Sequence, residues 1–154
     1  MRILMISVGQ KMPDWVAAGV REYCGRLPAN FLQLVELPLA VRTKSSDPRR
    51  AQAEEAQRLL KAIPDGAHVI ALDPRGRALS TEELAERLDG WQHEGRDVAF
   101  LIGGPDGLTA ECLARSDERW SLSRLTFPHM LVRIILAEQI YRAWTILRNH
   151  PYHR

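Results

Sequence analysis

The chain has 154 residues, of which 45% are apolar and 26% charged, with a formal net charge of +2 and a pI near 8.7. Those proportions describe one soluble globular domain with a sizeable core; they exclude a disordered chain, and they are too mildly basic to demand a nucleic-acid partner. Cys24 and Cys112 lack a CxxC partner or histidines at ligand spacing, and no stretch approaches the roughly 20 apolar residues of a membrane span. Buried thiols in a reducing compartment, the cytoplasm, are therefore expected, with no membrane and no metal.

Ile3 to Val8 is a buried-type strand ending at Gly9, not a leader, because Gln10 and Lys11 cut the apolar run short. Pro13-Asp14 then opens a helix in which Trp15, Val16, Gly19, Val20 and Tyr23 recur at helical spacing. Phe31 to Leu37 gives a second strand, closed by Pro38. The loop Arg42 to Arg50 is polar and rich in cations, and it suits either solvent or a phosphate-contacting arm. Asp47-Pro48 caps a helix running to about Ala62, which Pro64-Asp65-Gly66 ends. His68 to Asp73 is a third strand, followed by a turn through Pro74-Arg75-Gly76. Ser80-Thr81-Glu82-Glu83 has the form of a capping box before a helix carrying Leu84, Leu88 and Trp91. Strands alternating with helices predict an α/β domain over residues 1–154, a parallel sheet with helices on both faces.

The last third carries the chemistry. Val98 to Ile102 is a buried strand opening into Gly103-Gly104-Pro105-Asp106-Gly107, and Trp120 to Phe127 is an extended segment ending at Pro128-His129. Loops at the carboxyl ends of neighbouring strands of a parallel sheet can wall one ligand site. The glycine loop has neither the GK[ST] ending of a P-loop nor GxGxxG spacing, so nucleotide triphosphate and dinucleotide readings lose ground, and a tight structural turn explains the glycines equally well. The final helix, His129 to about Arg148, shows one apolar face through Val132, Leu136, Ile140 and Leu147, with Glu138, Arg142, Thr145 and Asn149 opposite. It is apolar around most of its circumference and calls for cover from a partner subunit or from a monomer core. Arg133 falls within the apolar face, where a cation must be paired or serve a ligand. His129 stands at the positive end of the helix dipole, which disfavours its charged form.

These residues carry a resemblance. Lys11-Met12-Pro13-Asp14-Trp15, Gly95-Arg96-Asp97-Val98, Leu101 to Gly107, Trp120-Ser121-Leu122-Ser123, Pro128-His129, Leu131-Val132-Arg133, Tyr141-Arg142-Ala143-Trp144 and the tail Asn149-His150-Pro151-Tyr152-His153-Arg154 resemble the ribosomal RNA large-subunit methyltransferase H family. Its members are pseudouridine N3-methyltransferases of the knotted SPOUT superfamily, and the likeness spans essentially the whole chain. Asp106 stands where the family more often has Glu. The resemblance implies a carboxyl-terminal trefoil knot, a homodimer through the last helix, and S-adenosylmethionine as cofactor. It also implies 23S rRNA within the 70S ribosome as partner. Leu72, Gly103, Leu122, Ser123, Arg124, Leu125, Thr126 and Phe127 would then hold the cofactor. Since N3 of pseudouridine is an imide nitrogen that must lose its proton, cations near the base favour reaction: Arg142, His153 and Arg154 are the catalytic candidates. Tyr152 would stack on or orient the base, and His129 would serve as base or phosphate contact. A knotted enzyme acting on tRNA and a non-catalytic ribosome-binding protein are the competing readings.

Overall fold

In the computed structural model, which describes residues 1–154, the elements run β1 (Ile3–Val8), α1 (Asp14–Arg26), β2 (Leu32–Leu37), α2 (Pro48–Ala62), β3 (His68–Ala78), α3 (Thr81–Glu94), β4 (Val98–Ile102), α4 (Ala110–Arg115), β5 (Glu118–Ser121) and α5 (His129–Leu147), with a 3-10 turn at Pro151–His153. The five strands pair in parallel in the order β2-β1-β4-β3-β5. β1 and β4 are buried along their whole length, as interior strands covered on both faces must be.

Alternation along the strands splits the core in two. Ile3, Met5, Ile70, Phe100 and Trp120 face α1, α3 and α5, through Val16, Leu88, Trp91, Leu136 and Ile140. Leu4, Ile6, Val8, Val69 and Leu101 face α2 and α4, through Ala56, Leu59 and Cys112. The expected three-layer architecture is present, and no helix is long and apolar enough to cross a membrane.

Local signals hold at most boundaries. The Asp47 carboxylate accepts from the Arg49 amide at 2.9 Å and starts α2. In α3 the Ser80 hydroxyl accepts from the Glu83 amide while Glu83 accepts from the Ser80 amide, both at 3.1 Å, and Gly95 ends the helix in the left-handed region.

Three features differ from the sequence reading. β3 does not stop at Asp73: it resumes beside β5, its register jumping from Leu72 to Arg77 so that residues 73–76 bulge from the sheet. Gly76 permits the return, since a Cβ there would sit 2.6 Å from the β5 backbone at Arg119 and Trp120. The loops after β4 and β5 do not follow neighbouring strands, because β3 lies between them. α4 was not foreseen: six residues are too few for a periodic pattern, although Thr109, whose hydroxyl accepts from the Cys112 amide, is an ordinary cap.

α5 packs between α1 and α3, and no residue from His129 to Leu147 is exposed. One domain therefore covers much of the apolar circumference. Thr145, assigned to the polar side, is fully buried because its hydroxyl donates to the Arg142 carbonyl at 2.6 Å. Leu131 and Ile135 are half-buried and belong to neither core cluster, so an apolar ridge remains on the outer side.

Candidate active site

β3, β4 and β5 end at one edge of the sheet, and there the chain encloses a cleft of about 510 Å³. The β3 bulge gives Leu72, Asp73, Pro74 and Arg75 to its wall; the β4 loop gives Gly103, Asp106 and Gly107; α4 contributes Leu113. Ser121, Leu122, Ser123, Leu125, Thr126 and Phe127 close it from the β5 side, and His129 and Val132 from the first turn of α5. Of the eight residues expected to hold a cofactor, seven meet here. Arg124 is exposed and does not line the wall.

The glycine loop owes its composition to folding on itself. A Cβ on Gly103 would lie 2.7 Å from the Gly107 carbonyl carbon and 2.9 Å from the Leu108 amide nitrogen, while the Gly107 amide donates to the Gly104 carbonyl at 3.0 Å and Gly107 has φ +77°. Self-approach within the turn therefore explains Gly103 before any ligand does. On the opposite lip, the Ser123 hydroxyl accepts from the Leu125 amide at 2.9 Å and the Ser121 hydroxyl donates to the Ser123 carbonyl at 2.8 Å, which fixes the segment before α5.

His129 is the one expected catalytic residue on the cleft wall. Burial, and then the positive charge of Arg133, push its pKa down, so the imidazole is neutral at physiological pH. Arg133 itself serves the fold. Fully buried, it donates to Glu36 at 2.8 Å, to Ser7 at 3.2 Å, and to the Val8 and Gly9 carbonyls at 3.2 and 2.8 Å, tying α5 to β1 and β2.

Arg142, Tyr152, His153 and Arg154 are elsewhere, at the other end of α5. At 1.5 Å per residue the helix sets Arg142 roughly 20 Å from His129. The 3-10 turn folds back so that the Tyr152 hydroxyl donates to Glu138 at 2.7 Å, and Arg142 donates to the same oxygen at 3.0 and 2.8 Å. The Arg142 guanidinium lies 4.9 Å from the centre of the Tyr152 ring, whose edge meets Tyr141. Burial works against the charge of Glu138, yet the Arg142 and Tyr152 hydrogen bonds prevail and hold its carboxyl below the usual range. Burial and Glu138 push the Tyr152 hydroxyl well above its ordinary range, so it is a donor and never a phenolate at neutral pH. The only two buried side-chain polar atoms without a partner are Trp144 Nε1 and His153 Nδ1, both in this region. No group of three or more potential metal ligands gathers anywhere in the chain.

Sequence reasoning missed Asp73 and Arg75 as wall residues, although Pro-Arg-Gly after a buried strand marked a loop. It missed Leu113 because α4 had no readable period.

A family described as predicted SPOUT methyltransferases matches residues 1–153. Ribosomal RNA large subunit methyltransferase H of Alkalilimnicola ehrlichii is 61% identical, covering 100% of this chain and 99% of the relative. The protein of the same name from Thioalkalivibrio sulfidiphilus is 57% identical, with coverage of 100% and 99%. Among solved structures, a probable methylase family protein from Haemophilus influenzae Rd KW20 superposes with a TM-score of 0.58 at 16% identity, over 99% of this chain and 70% of that one. A putative methylase family protein from Neisseria gonorrhoeae gives 0.58 at 15%, over 91% and 81%. These two likenesses are of fold.

Proposed function

This chain belongs to the SPOUT methyltransferase family, and on that premise we propose that it transfers a methyl group from S-adenosylmethionine to N3 of a pseudouridine in 23S rRNA of assembled ribosomes, in the cytoplasm. The observation that carries the reading is one cleft gathering Leu72, Gly103 and the segment Leu122–Phe127 in a chain whose full-length relatives are named for rRNA methylation. The knot at the carboxyl end belongs to the same reading, with family membership as its support.

The cleft fits S-adenosylmethionine. Its volume is of the size that cofactor sites occupy, Leu72, Leu122, Phe127 and Val132 offer apolar walls for a purine, and Asp73 brings a carboxylate to a cation. When bound, the cofactor supplies a sulfonium methyl that needs an in-line nucleophile. The protein's remaining task is to favour the imide anion. Neutral His129 can accept the imide proton or bond to the base, and Arg142, His153 and Arg154 can steady the negative charge, while Tyr152 orients the base as a donor.

Arg142 and the tail cannot reach the cleft of their own chain along α5, so this reading requires a homodimer in which the tail of one copy serves the cleft of the other. The half-buried Leu131 and Ile135 and the unpartnered Trp144 and His153 nitrogens support such a contact. RNA is favoured by the cleft mouth. Arg75 lies on the wall and Arg124 on the adjoining loop, neither in an ion pair, and such cations suit backbone phosphate. Tritiated methyl transfer to ribosomes carrying or lacking the pseudouridine tests the proposal: label is expected only in the first. Preferential labelling of tRNA, or labelling of neither substrate, overturns it.

A further inference from the structure

The cation-rich loop before α2 reads from sequence as a phosphate-contacting arm, but its first arginine is already engaged. Arg42 donates to both oxygens of Glu55, at 2.6 and 2.9 Å, and to Asp106 in the glycine loop at 2.9 Å. Glu55 is buried, accepts from the Ala40 amide at 3.1 Å, and lies directly beneath the glycine loop: a Cβ on Gly104 would meet its carboxylate at 3.2 Å. One turn earlier on α2, Gln52 donates to the Asp106 carbonyl at 3.0 Å and the Gly107 carbonyl at 3.4 Å. Every polar contact that the tip of this loop makes to the rest of the fold thus comes from two side chains, Arg42 and Gln52, and neither lines the cleft.

We propose that Arg42 and Gln52 are positioning residues that hold Gly103–Gly107 in the form that receives the cofactor, with buried Glu55 as the anchor of the strut. The loop has strong reason to need it. Three of its five residues are glycines with no side chain to pack, Gly107 already occupies the left-handed region, and the only internal bond is the Gly104–Gly107 bridge. A glycine-rich turn held by nothing else populates many conformations, and each competes with the binding one and weakens apparent affinity in proportion. Bidentate pairing with Glu55 is directional as well as strong and fixes the Arg42 guanidinium, whose Nε and Nη2 then both donate to Asp106 Oδ2 and set the position of Asp106 as well as its charge. Lysine at this position could meet one acid but not both forks. The inference rests on the cofactor site proposed above, and it adds that the affinity of that site is set from outside its walls.

The test uses Gln52→Ala, Arg42→Lys and Arg42→Ala in the full chain, with S-adenosylmethionine titrated by calorimetry and amide hydrogen exchange followed across 103–108 in the cofactor-free protein. Each variant is expected to fold, to exchange faster in that segment only, and to bind the cofactor about threefold to tenfold more weakly, with Arg42→Ala at the upper end. Gln52→Ala leaves the Arg42–Glu55 pair intact and keeps the test decisive if Arg42→Ala unfolds by stranding the Glu55 charge. Unchanged exchange and affinity in folded Gln52→Ala and Arg42→Lys proteins would overturn the proposal and make the contacts ordinary surface pairs. Failure of the wild type to bind S-adenosylmethionine would instead remove the cofactor assignment, and the exchange measurement would still decide whether the strut orders the loop.

Discussion

At the amino end of α5, His129 and Val132 close a cleft whose walls come from five segments of one chain, and every buried side-chain polar atom there has a partner. At the carboxyl end, Tyr152 and Arg142 converge on Glu138, but Trp144 Nε1 and His153 Nδ1 are buried without one. The first region leaves no buried side-chain polar atom unpaired; the second leaves two. Two arginines of the same helix repeat the contrast. Arg133 makes four hydrogen bonds, all within the fold, whereas Arg142 keeps a partly exposed guanidinium beside an aromatic ring. The difference teaches that the two ends of α5 are built differently, and under the function proposed above it separates cofactor binding, at the amino end, from catalysis, at the carboxyl end, which would draw on a second copy.

The strongest way to break that contrast is to remove Tyr152, His153 and Arg154. Methyl transfer to ribosomes should fall about a thousandfold, while folding and S-adenosylmethionine affinity stay near wild type. Co-assembling the truncated chain with a Gly103→Val chain, whose loop backbone clashes with the new side chain, should restore much of the lost rate, because one copy keeps the cleft and the other the tail. Full activity in the truncated protein, or no recovery in the mixed dimer, would end the separation.

Next in size is the pair of arginines. Arg133→Ala should cost roughly 3–5 kcal/mol in denaturant unfolding, since it strands Glu36 and empties a buried site. Arg142→Ala should change stability little and lower kcat with cofactor affinity unchanged. Equal stability losses would show that Arg142 is structural as well. At the cleft mouth, Arg75→Ala should raise KM for ribosomes by about tenfold and reduce the slope of binding against salt by about one, as loss of a phosphate contact does. A weaker cofactor titration in that variant would instead place Arg75 on the cofactor. The smallest effect concerns His129. Its folded pKa is depressed, so its neutral form is favoured by folding: the associated stability is fully present above the ordinary histidine value near 6.5 and is lost as pH falls through the folded value. An NMR titration of His129 with a midpoint at or above 6.5 would contradict the burial that lowers it.

The sequence by itself determined the α/β alternation, the parallel sheet and most helix starts, because those follow from apolar period and from caps such as Asp47 and the Ser80–Glu83 box, which act over a few residues. It also marked the glycine loop, the segment Leu122–Phe127 and the tail as candidate places for chemistry, the first two as strand-end loops and all three through resemblance to a family. Tertiary structure alone decided what those places do to one another. Strand order put β3 between β4 and β5, the bulge at residues 73–76 brought Arg75 to the wall, and α5 held the tail far from the cleft. It assigned Arg133 to the fold and Arg42 to Asp106, across 64 residues of sequence. Such pairings depend on which surfaces meet after the sheet has closed. A local pattern records the charge of an arginine but not the carboxylate that packing brings to it.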